Sequence, residues 1–519
     1  MFRRIERRWW ALVAMALSLL VIGLDTTVLN VALPTVAVDL HASNSQLQWF
    51  ADAYLLVMSA LLLPAGLLGD KFGRKRLTVA ALVVFGAGSL WCAFAGSPAS
   101  LIGARVVLGV GAAVLVPLAM STVVVLFEPA ERGRAIGVVS IATILGLPAG
   151  PLIGGALLNH FWWGSVFLVN VPVIAVALLA AGLLLPKDGP AHGGRIDYVG
   201  VALSAVGLVG LTYGLIEGPV RGWTSLTVLG TVAVSLGLLV LFVRWESRVR
   251  SAEPVMDLAL WRDASFRWGV VGATLASFGL FGVLFVLPQY FQSVSGVDAL
   301  GTGVRTLPLM FGMIVGLQGG IRLGNRIGFA RSAAFGFVGL VVGLLLGTRT
   351  GVHSGFLLIA TWTAIAGLGM GMALVNAQNA ALNTLSKARA GAGSAVVQAM
   401  RQVGSVTGIA ALGAIVNGVY RSNVHTAGLS GDAAATVRDG VAGGVLTGSR
   451  LNSPALVESA RQAFTSGLEA VLWVSGGVCL IAAVLVWLFL PRTGRPTAEV
   501  GDAGQSNGAV VEAQPASVG

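Results

Sequence analysis

Asp25 is the residue of this chain whose type and position most directly suggest chemistry. It lies within an apolar segment, residues 10–34, that is long enough to span a bilayer as a helix. It stands nine residues before Pro34, or roughly 13 Å inside the outer end if the chain enters from the cytoplasm. A carboxylate at this depth is costly, so such residues usually line a polar pathway or carry protons. The alternative, that it reaches back to the interface, suits the short Asp side chain poorly.

Two other charged residues fall at a similar depth in neighbouring apolar segments. Arg105 lies six residues into its segment, roughly 9 Å deep, and Asp52 lies five residues after Leu47, roughly 7 Å deep. Burial favours the protonated form of Asp25, whereas a nearby arginine favours its carboxylate form. The balance would change as the site opens to one side, and Asp25 and Arg105 would then act as a proton switch. The alternative is a static ion pair that stabilises the helix bundle.

A second group of residues is predicted to contact a bound compound. It consists of Asp52, Trp49, Tyr54, Asn30 and Arg401. Trp49 and Tyr54 can offer aromatic faces to a cation held near Asp52. Arg401 lies eight residues into its own segment, and the sequence leaves open whether it lines a cavity or reaches toward the cytoplasm.

The composition is that of a membrane protein. Of the 519 residues, 56% are hydrophobic and only 11% are charged, which is about half the charged fraction of a soluble protein. The net charge of +11 does not indicate a nucleic-acid partner, because the basic residues lie in short gaps between apolar segments. Cys92 and Cys479 lie inside apolar segments and the five histidines are scattered, so no disulfide framework or metal site is expected.

The apolar segments predict an all-α polytopic protein with fourteen transmembrane helices. Many segments are rich in glycine and alanine, which allow helices to approach closely in a membrane. The predicted spans are 10–33, 47–69, 77–95, 99–127, 133–159, 163–185, 198–216, 225–243, 268–290, 300–320, 330–347, 355–376, 393–418 and 467–490.

The distribution of basic residues sets the expected orientation. With the N-terminus in the cytoplasm, 24 lysines and arginines fall in inside gaps and seven in outside gaps. This asymmetry follows the positive-inside rule and places both termini in the cytoplasm of a multi-pass cell-membrane protein. The N-terminal apolar run is too long for a signal peptide, so we expect it to be retained.

An internal repeat indicates two related halves. Residues 68–73 follow the second span and residues 323–328 follow the tenth, 255 positions later. Repeated halves are common in secondary transporters, with the substrate site at mid-membrane between them. An offset of eight spans, rather than six, implies two additional central helices.

These observations predict the domain organisation. It comprises an N-terminal six-helix bundle (1–185), two linker helices (186–250), a C-terminal six-helix bundle (251–492) and a disordered cytoplasmic tail (493–519). The C-terminal bundle contains a polar outside loop at 420–465, which we expect to be solvated and partly helical around 454–464.

The loop after the second span carries a recognisable pattern in residues 66–76. Gly66 and Gly73 permit a tight turn and close helix contact, while Asp70 can pair with a cation such as Arg74. Such a latch would hold one conformation of two rocking bundles; the alternative is an ordinary basic loop. The pattern resembles the cytoplasmic loop signature of the major facilitator superfamily.

Three further stretches resemble signatures of the fourteen-span drug:proton antiporters of that superfamily. Residues 25–34 resemble the first-helix signature. Residues 105–113 resemble the fourth-helix motif, whose arginine is tied to proton transfer, although Leu108 stands where the family often has a polar residue. Residues 146–155 resemble the fifth-helix antiporter motif, which marks exporters rather than importers. Weaker matches occur at 167–172, 197–200, 288–292 and 391–404.

The prolines and glycines of residues 146–155 also predict a structural role from their own physical properties, apart from the family resemblance. The two prolines remove backbone donors and the glycines loosen the helix, which predicts a bent, closely packed hinge; a kink without function is the alternative. The residues are Gly146, Pro148, Gly150, Pro151, Gly154 and Gly155.

The resemblance implies proton-driven export of amphipathic drugs or antibiotics, often cationic or aromatic, by alternating access. It implies no enzyme activity and no cofactor beyond the proton gradient. Its partners would be a small-molecule substrate, protons and the lipid bilayer, with no nucleic acid, and we expect a monomer. An ATP-driven pump is disfavoured because no Gly-Lys pair occurs in the chain. A carrier of an endogenous metabolite or lipid on the same scaffold, or a membrane sensor that does not transport, remain alternatives.

Overall fold

The computed structural model describes residues 2–42, 44–158, 160–185, 197–248, 258–385 and 390–491. The described residues form helices joined by short connections. The helices are α1 (Phe2–Asp39), α2 (Asn44–Phe72), α3 (Arg74–Ala93), α4 (Pro98–Leu126), α5 (Pro129–Leu158), α6 (Ser165–Leu168), α7 (Asn170–Leu184), α8 (Tyr198–Arg221), α9 (Leu226–Glu246), α10 (Ala264–Gln289), α11 (Ala299–Ile327), α12 (Phe329–Gly347), α13 (Phe356–Leu382), α14 (Ala390–Asn423), α15 (Gly431–Asp439), α16 (Val441–Arg450) and α17 (Pro454–Phe489).

The predicted all-α polytopic fold is confirmed. Within the described residues, twelve helical segments are long and apolar enough to cross a membrane. The helices α2 and α5, of 29 and 30 residues, bring the number of long helical segments to fourteen. The sixth predicted span is divided at Val169 into α6 and α7, which together form one crossing segment, Ser165–Leu184.

Helix starts are set by local hydrogen bonds. Six helices in the described part of the chain begin after a Ser or Asp whose side chain accepts a hydrogen bond from a backbone N–H of the first turn. Such a side chain satisfies donors that have no partner within the helix. These capping residues are Ser97, Asp197, Ser225, Asp263, Asp298 and Ser453.

Small residues let the helices pack closely, as their abundance predicts. A Cβ at Gly316 of α11 would collide with the backbone of Leu368 on α13, and a Cβ at Gly371 of α13 would collide with the backbone of Met313 on α11. Because no side chain would fit at either position, these glycines are needed for the two helix backbones to approach each other.

The internal repeat is also visible in the backbone. Gly73, between α2 and α3, has φ 97° and ψ 132°, and Gly328, between α11 and α12, has φ 93° and ψ 152°. Both glycines therefore take the same conformation, which other residues rarely adopt, at positions 255 residues apart. This agreement supports the reading of the short match as a true repeat.

Helix contacts divide most of the described long helices into two sets. α1 packs against α5 and α7, and α2 and α3 pack against α4. α10 packs against α13 and α14, and α11 and α12 pack against α13. The two sets meet where α5 contacts α11 and where α14 contacts α2 and α4. α8 touches both α2 and α14, and its Thr212 hydroxyl donates a hydrogen bond to Ser59 of α2 at 3.3 Å.

The segment predicted as an outside loop, residues 420–465, is largely helical. α14 continues to Asn423, the short helices α15 and α16 follow, and α17 begins at Pro454. Tyr420 fixes this arrangement, because its ring is 1% exposed and its hydroxyl donates to the carbonyl of Val437 at 2.9 Å. The predicted tail, 493–519, lies outside the described residues.

Candidate functional site

A buried ion pair joins the two residues that the sequence singles out for proton chemistry. Arg105 Nη1 lies 2.6 Å from Asp25 Oδ2, and the side chains are 2% and 0% exposed. Asp25 belongs to α1 and Arg105 to α4, so the pair links two helices inside the bundle. A charged pair that is removed from water this completely persists only with good geometry and further hydrogen bonds.

The remaining groups around Arg105 supply such hydrogen bonds. Its Nε donates to the carbonyl oxygen of Phe50 on α2 at 2.7 Å. The guanidinium carbon lies 4.5 Å from the centroid of the Tyr54 ring, in a cation–π contact. Arg105 therefore ties α2 to the carboxylate of α1, and the ring of Tyr54, which is 1% exposed, covers the guanidinium.

Asn170 completes the carboxylate's surroundings, and sequence reasoning did not single it out. Its Nδ2 donates to Asp25 Oδ1 at 3.3 Å and to Ser89 Oγ at 3.0 Å. Ser89 in turn donates to the carbonyl of Phe167 at 3.4 Å. Asn170 begins α7 inside an apolar segment, and a polar side chain in that setting was the available signal.

The fifth-helix glycines pack directly on the helix that carries Asp25. A Cβ at Gly146 would lie 2.8 Å from the backbone nitrogen of Leu24. A Cβ at Gly150 would lie 2.8 Å from the nitrogen of Val28, and one at Gly154 would lie 2.9 Å from Cγ2 of the same residue. Only glycine fits at these positions, so α5 holds α1 by its backbone on both sides of the carboxylate.

The other predicted gating residues have more varied surroundings. A Cβ at Gly155 would meet no atom within 4 Å, so this glycine does not contribute to the close contact. Gly66 lies within α2, and Arg74 begins α3 directly after Gly73. Their gating role stays a prediction.

Five of the predicted residues have side chains that lie outside the described part of the structure. The side chains concerned are those of Asn30, Asp52, Asp70, Pro148 and Pro151. Of the remaining residues predicted to bind substrate, Trp49 is half-buried on α2 and Tyr54 faces Arg105.

Arg401 lies between α10 and α14, inside the helix bundle. Its Nε donates to Ser277 Oγ at 3.2 Å and its Nη1 donates to Gln398 Oε1 at 3.1 Å. Of the two positions that the sequence leaves open, the guanidinium takes the interior one. Among the described acids, none forms an ion pair with it.

The ionisable group at the centre of this arrangement is the carboxylate of Asp25. Asp25 is the described acid that meets an arginine in a fully buried pair; Asp25 is held by groups of α4 and α7, and Arg105 is held in addition by a carbonyl of α2. Movement of any of these helices would change the stability of its charged form. Within the described residues, no group of three or more His, Cys, Asp or Glu side chains has a geometry for a metal ion.

Comparison with known proteins identifies the scaffold. A sequence profile of the Major Facilitator Superfamily matches residues 15–409. The chain is 33% identical over 497 residues to the multidrug efflux pump LfrA of Mycolicibacterium smegmatis, covering 94% of this chain and 97% of that protein. It is 32% identical over 494 residues to the tetracenomycin C resistance and export protein of Streptomyces glaucescens, covering 92% and 91%.

Solved structures share the fold. The proton:xylose symporter XylE matches with a TM-score of 0.59 and 15% sequence identity, covering 94% of this chain and 97% of XylE. At this identity the likeness concerns the fold alone.

Proposed function

The chain belongs to the major facilitator superfamily and is a transporter, and we propose that it exports amphipathic drugs or antibiotics in exchange for protons. Export would proceed by alternating access, in which the two helix bundles rock about a central site. The protein would lie in the cell membrane with both termini in the cytoplasm.

The observation that carries the proposal is the buried pair of Asp25 and Arg105. When Asp25 is ionised, the pair is neutral and contacts three described groups: the Phe50 carbonyl, the Asn170 amide nitrogen and the Tyr54 ring. When Asp25 takes up a proton, the guanidinium loses its counter-ion inside the bundle, and a buried unpaired charge costs about 3–5 kcal/mol. Protonation therefore favours any conformation that gives Arg105 another partner or water, which is the property required of a coupling group.

The fifth-helix contact supplies the mechanical link. α5 also packs along α11 of the other bundle, where a Cβ at Gly137 would lie 2.7 Å from Cδ1 of Ile321. A shift of α1 at Asp25 is thus transmitted through Gly146 and Gly150 to the interface between the two bundles. Small residues on both faces of α5 allow it to slide without displacing side chains.

The substrate class rests on the relatives. One is named a multidrug efflux pump and another a resistance and export protein for tetracenomycin C, and both are covered almost completely. These names favour drug export over the transport of an endogenous metabolite or lipid.

The experiment is proton-driven drug accumulation in inside-out vesicles that contain Asp25→Asn. We expect loss of gradient-driven accumulation at an unchanged protein level. Because this variant leaves Arg105 buried without a counter-ion, the double variant Asp25→Asn/Arg105→Gln serves as the matched control: it is neutral at both positions and should recover stability but not coupling. Gradient-driven transport by either variant at the wild-type rate would rule out the coupling role of Asp25.

A further inference from the structure

The surroundings of Arg401 contain more hydrogen-bond donors than acceptors. A guanidinium has five N–H groups, and Arg401 uses two of its nitrogens, on Ser277 and Gln398. The side-chain oxygen of Gln398 accepts the hydrogen bond from Arg401. The amide nitrogen of Gln398 is buried without a partner, in a side chain that is 6% exposed. A buried donor without a partner costs about 1–3 kcal/mol, so the cluster is arranged to receive an acceptor.

The cluster faces the other helix bundle. Ser394, Gln398 and Arg401 are separated by four and three residues and therefore share one face of α14. Ser394 donates a hydrogen bond to the carbonyl of Pro117 on α4 at 3.1 Å, which directs that face toward the Asp25 bundle. Arg401 lies nine residues beyond Ala392, where the spanning segment begins, or about 14 Å deep and near mid-membrane.

The position does not need Arg401 for packing. α10 and α14 already meet through glycines, because a Cβ at Gly404 would lie 3.0 Å from Cγ2 of Thr274, and one at Gly408 would lie 3.0 Å from Cα of Phe278. A long charged side chain adds desolvation cost to a contact that the backbones make without it.

The charge of Arg401 determines which kind of hydrogen-bond acceptor the cluster favours. The positive charge of Arg105 is balanced by Asp25, whereas no described acid forms an ion pair with Arg401. Arg401 is partly buried, and an unbalanced guanidinium that is shielded from bulk water attracts anions and repels cations. Its planar donors match the two oxygens of a carboxylate.

We propose that Arg401, Gln398 and Ser277 form a subsite for an oxyanion of the exported compound: a carboxylate, a phenolate or an enolate. The subsite rests on the proposed transport function and adds to it a preference for amphipathic acids or zwitterions over permanent cations. Gln398 supplies the free amide N–H groups, and Arg401 supplies the charge.

The test measures binding of two dyes that differ in one group. Rhodamine B has a free carboxylate, and its ethyl ester has the same aromatic cation with the acid blocked. Dissociation constants for both are measured by fluorescence on the full-length protein in nanodiscs. We expect rhodamine B to bind at least about tenfold more tightly than the ester, since a hydrogen bond to a charged group contributes about 1.5–3 kcal/mol.

Two variants and one control show whether Arg401 and Gln398 bind the acid group or only stabilise the helix bundle. Arg401→Gln should remove the preference for the acid, and Gln398→Glu should also remove it because the added carboxylate occupies the guanidinium while Arg401 stays in place. Arg349→Gln, at an exposed position, removes the same charge from the surface and should leave the ratio of the two constants unchanged.

Equal binding of the two dyes by the wild-type protein, no binding of rhodamine B, or a ratio unaffected by both variants would each overturn the subsite. Transport is tested separately with the ester under a proton gradient. If the ester is driven but the acid is not preferred, only the subsite fails; if neither dye is driven, the proposed function fails as well.

Discussion

The close contact between α1 and α5 gives a prediction whose size follows from the geometry. A Cβ at Gly146 would lie 2.8 Å from the nitrogen of Leu24, whereas ordinary contacts begin at about 3.4 Å. The Cβ would lie closer still to the carbonyl oxygen of Leu20, so the Gly146→Ala substitution requires α1 to move by at least about 0.6 Å next to Asp25. Because Leu24 and Val28 face α5 and Asp25 points largely the other way, the shift would displace the carboxylate relative to Arg105. A displacement of this size is as large as the whole range of good hydrogen-bond distances, about 2.7–3.2 Å, so the 2.6 Å contact of the pair would be disturbed.

The consequence should appear in both stability and transport. Overpacking of this kind costs about 1–3 kcal/mol, and the displaced carboxylate loses its alignment with Arg105. We expect Gly146→Ala to lower proton-driven drug transport in proteoliposomes by at least about tenfold, because misplacement of a reacting group by about 1 Å can cost about a hundredfold.

Gly155→Ala is the matched control. It adds the same methyl group to the same helix, but its Cβ would meet no atom within 4 Å, and alanine favours a helix over glycine by up to about 1 kcal/mol. This variant should transport at the wild-type rate and unfold at the same or a higher temperature. Equal transport by the two variants at equal protein level would refute the link between the α5 contact and Asp25.

Two further predictions concern residues outside this contact. Asn170→Ala removes both donated bonds, to Asp25 and Ser89. Because a hydrogen bond to a charged group contributes about 1.5–3 kcal/mol, proton-driven transport should fall by about tenfold or more; transport at the wild-type rate and equal protein level would contradict a positioning role. Gly73→Ala and Gly328→Ala force alanine into a positive-φ, extended-ψ conformation at about 1–3 kcal/mol each, so both should lower the unfolding temperature in detergent, whereas Gly230→Ala, which adds a methyl group in open space, should not.

Much of the fold follows from local sequence properties. Apolar length predicts the long helices, and the repeated Gly73 and Gly328 predict equivalent turns, since each depends on a few neighbouring residues. The proximity of Asp25 and Arg105 was also predictable, because both lie near the same membrane face within their spans. The depth of each residue in the bilayer follows from its position within its span, because a helix rises about 1.5 Å per residue.

Other features depend on contacts that are distant in sequence. In the mainly helical polar segment 420–465, the buried Tyr420 joins α14 to the short helices by donating to the carbonyls of Val437 and Gly440, and composition does not encode this pairing. Asn170 reaches Asp25 across 145 residues, so only the helix packing reveals its role. The orientation of Arg401 was ambiguous for the same reason: helical periodicity gives its face but not the neighbouring helix.

The charge of the substrate determines how the membrane potential contributes to export. Exchange of one inward proton for an outward compound of net charge z moves 1 − z positive charges inward. The ethyl ester of rhodamine B is a monocation and moves none, whereas rhodamine B is a zwitterion and moves one. At 100 mV, one charge corresponds to about 2.3 kcal/mol, or about a 50-fold difference in accumulation. Clamping the potential with potassium and valinomycin at constant pH gradient should therefore change accumulation of the acid and not of the ester. If the acid accumulates equally at zero and 100 mV, exchange for a single proton at Asp25 is excluded.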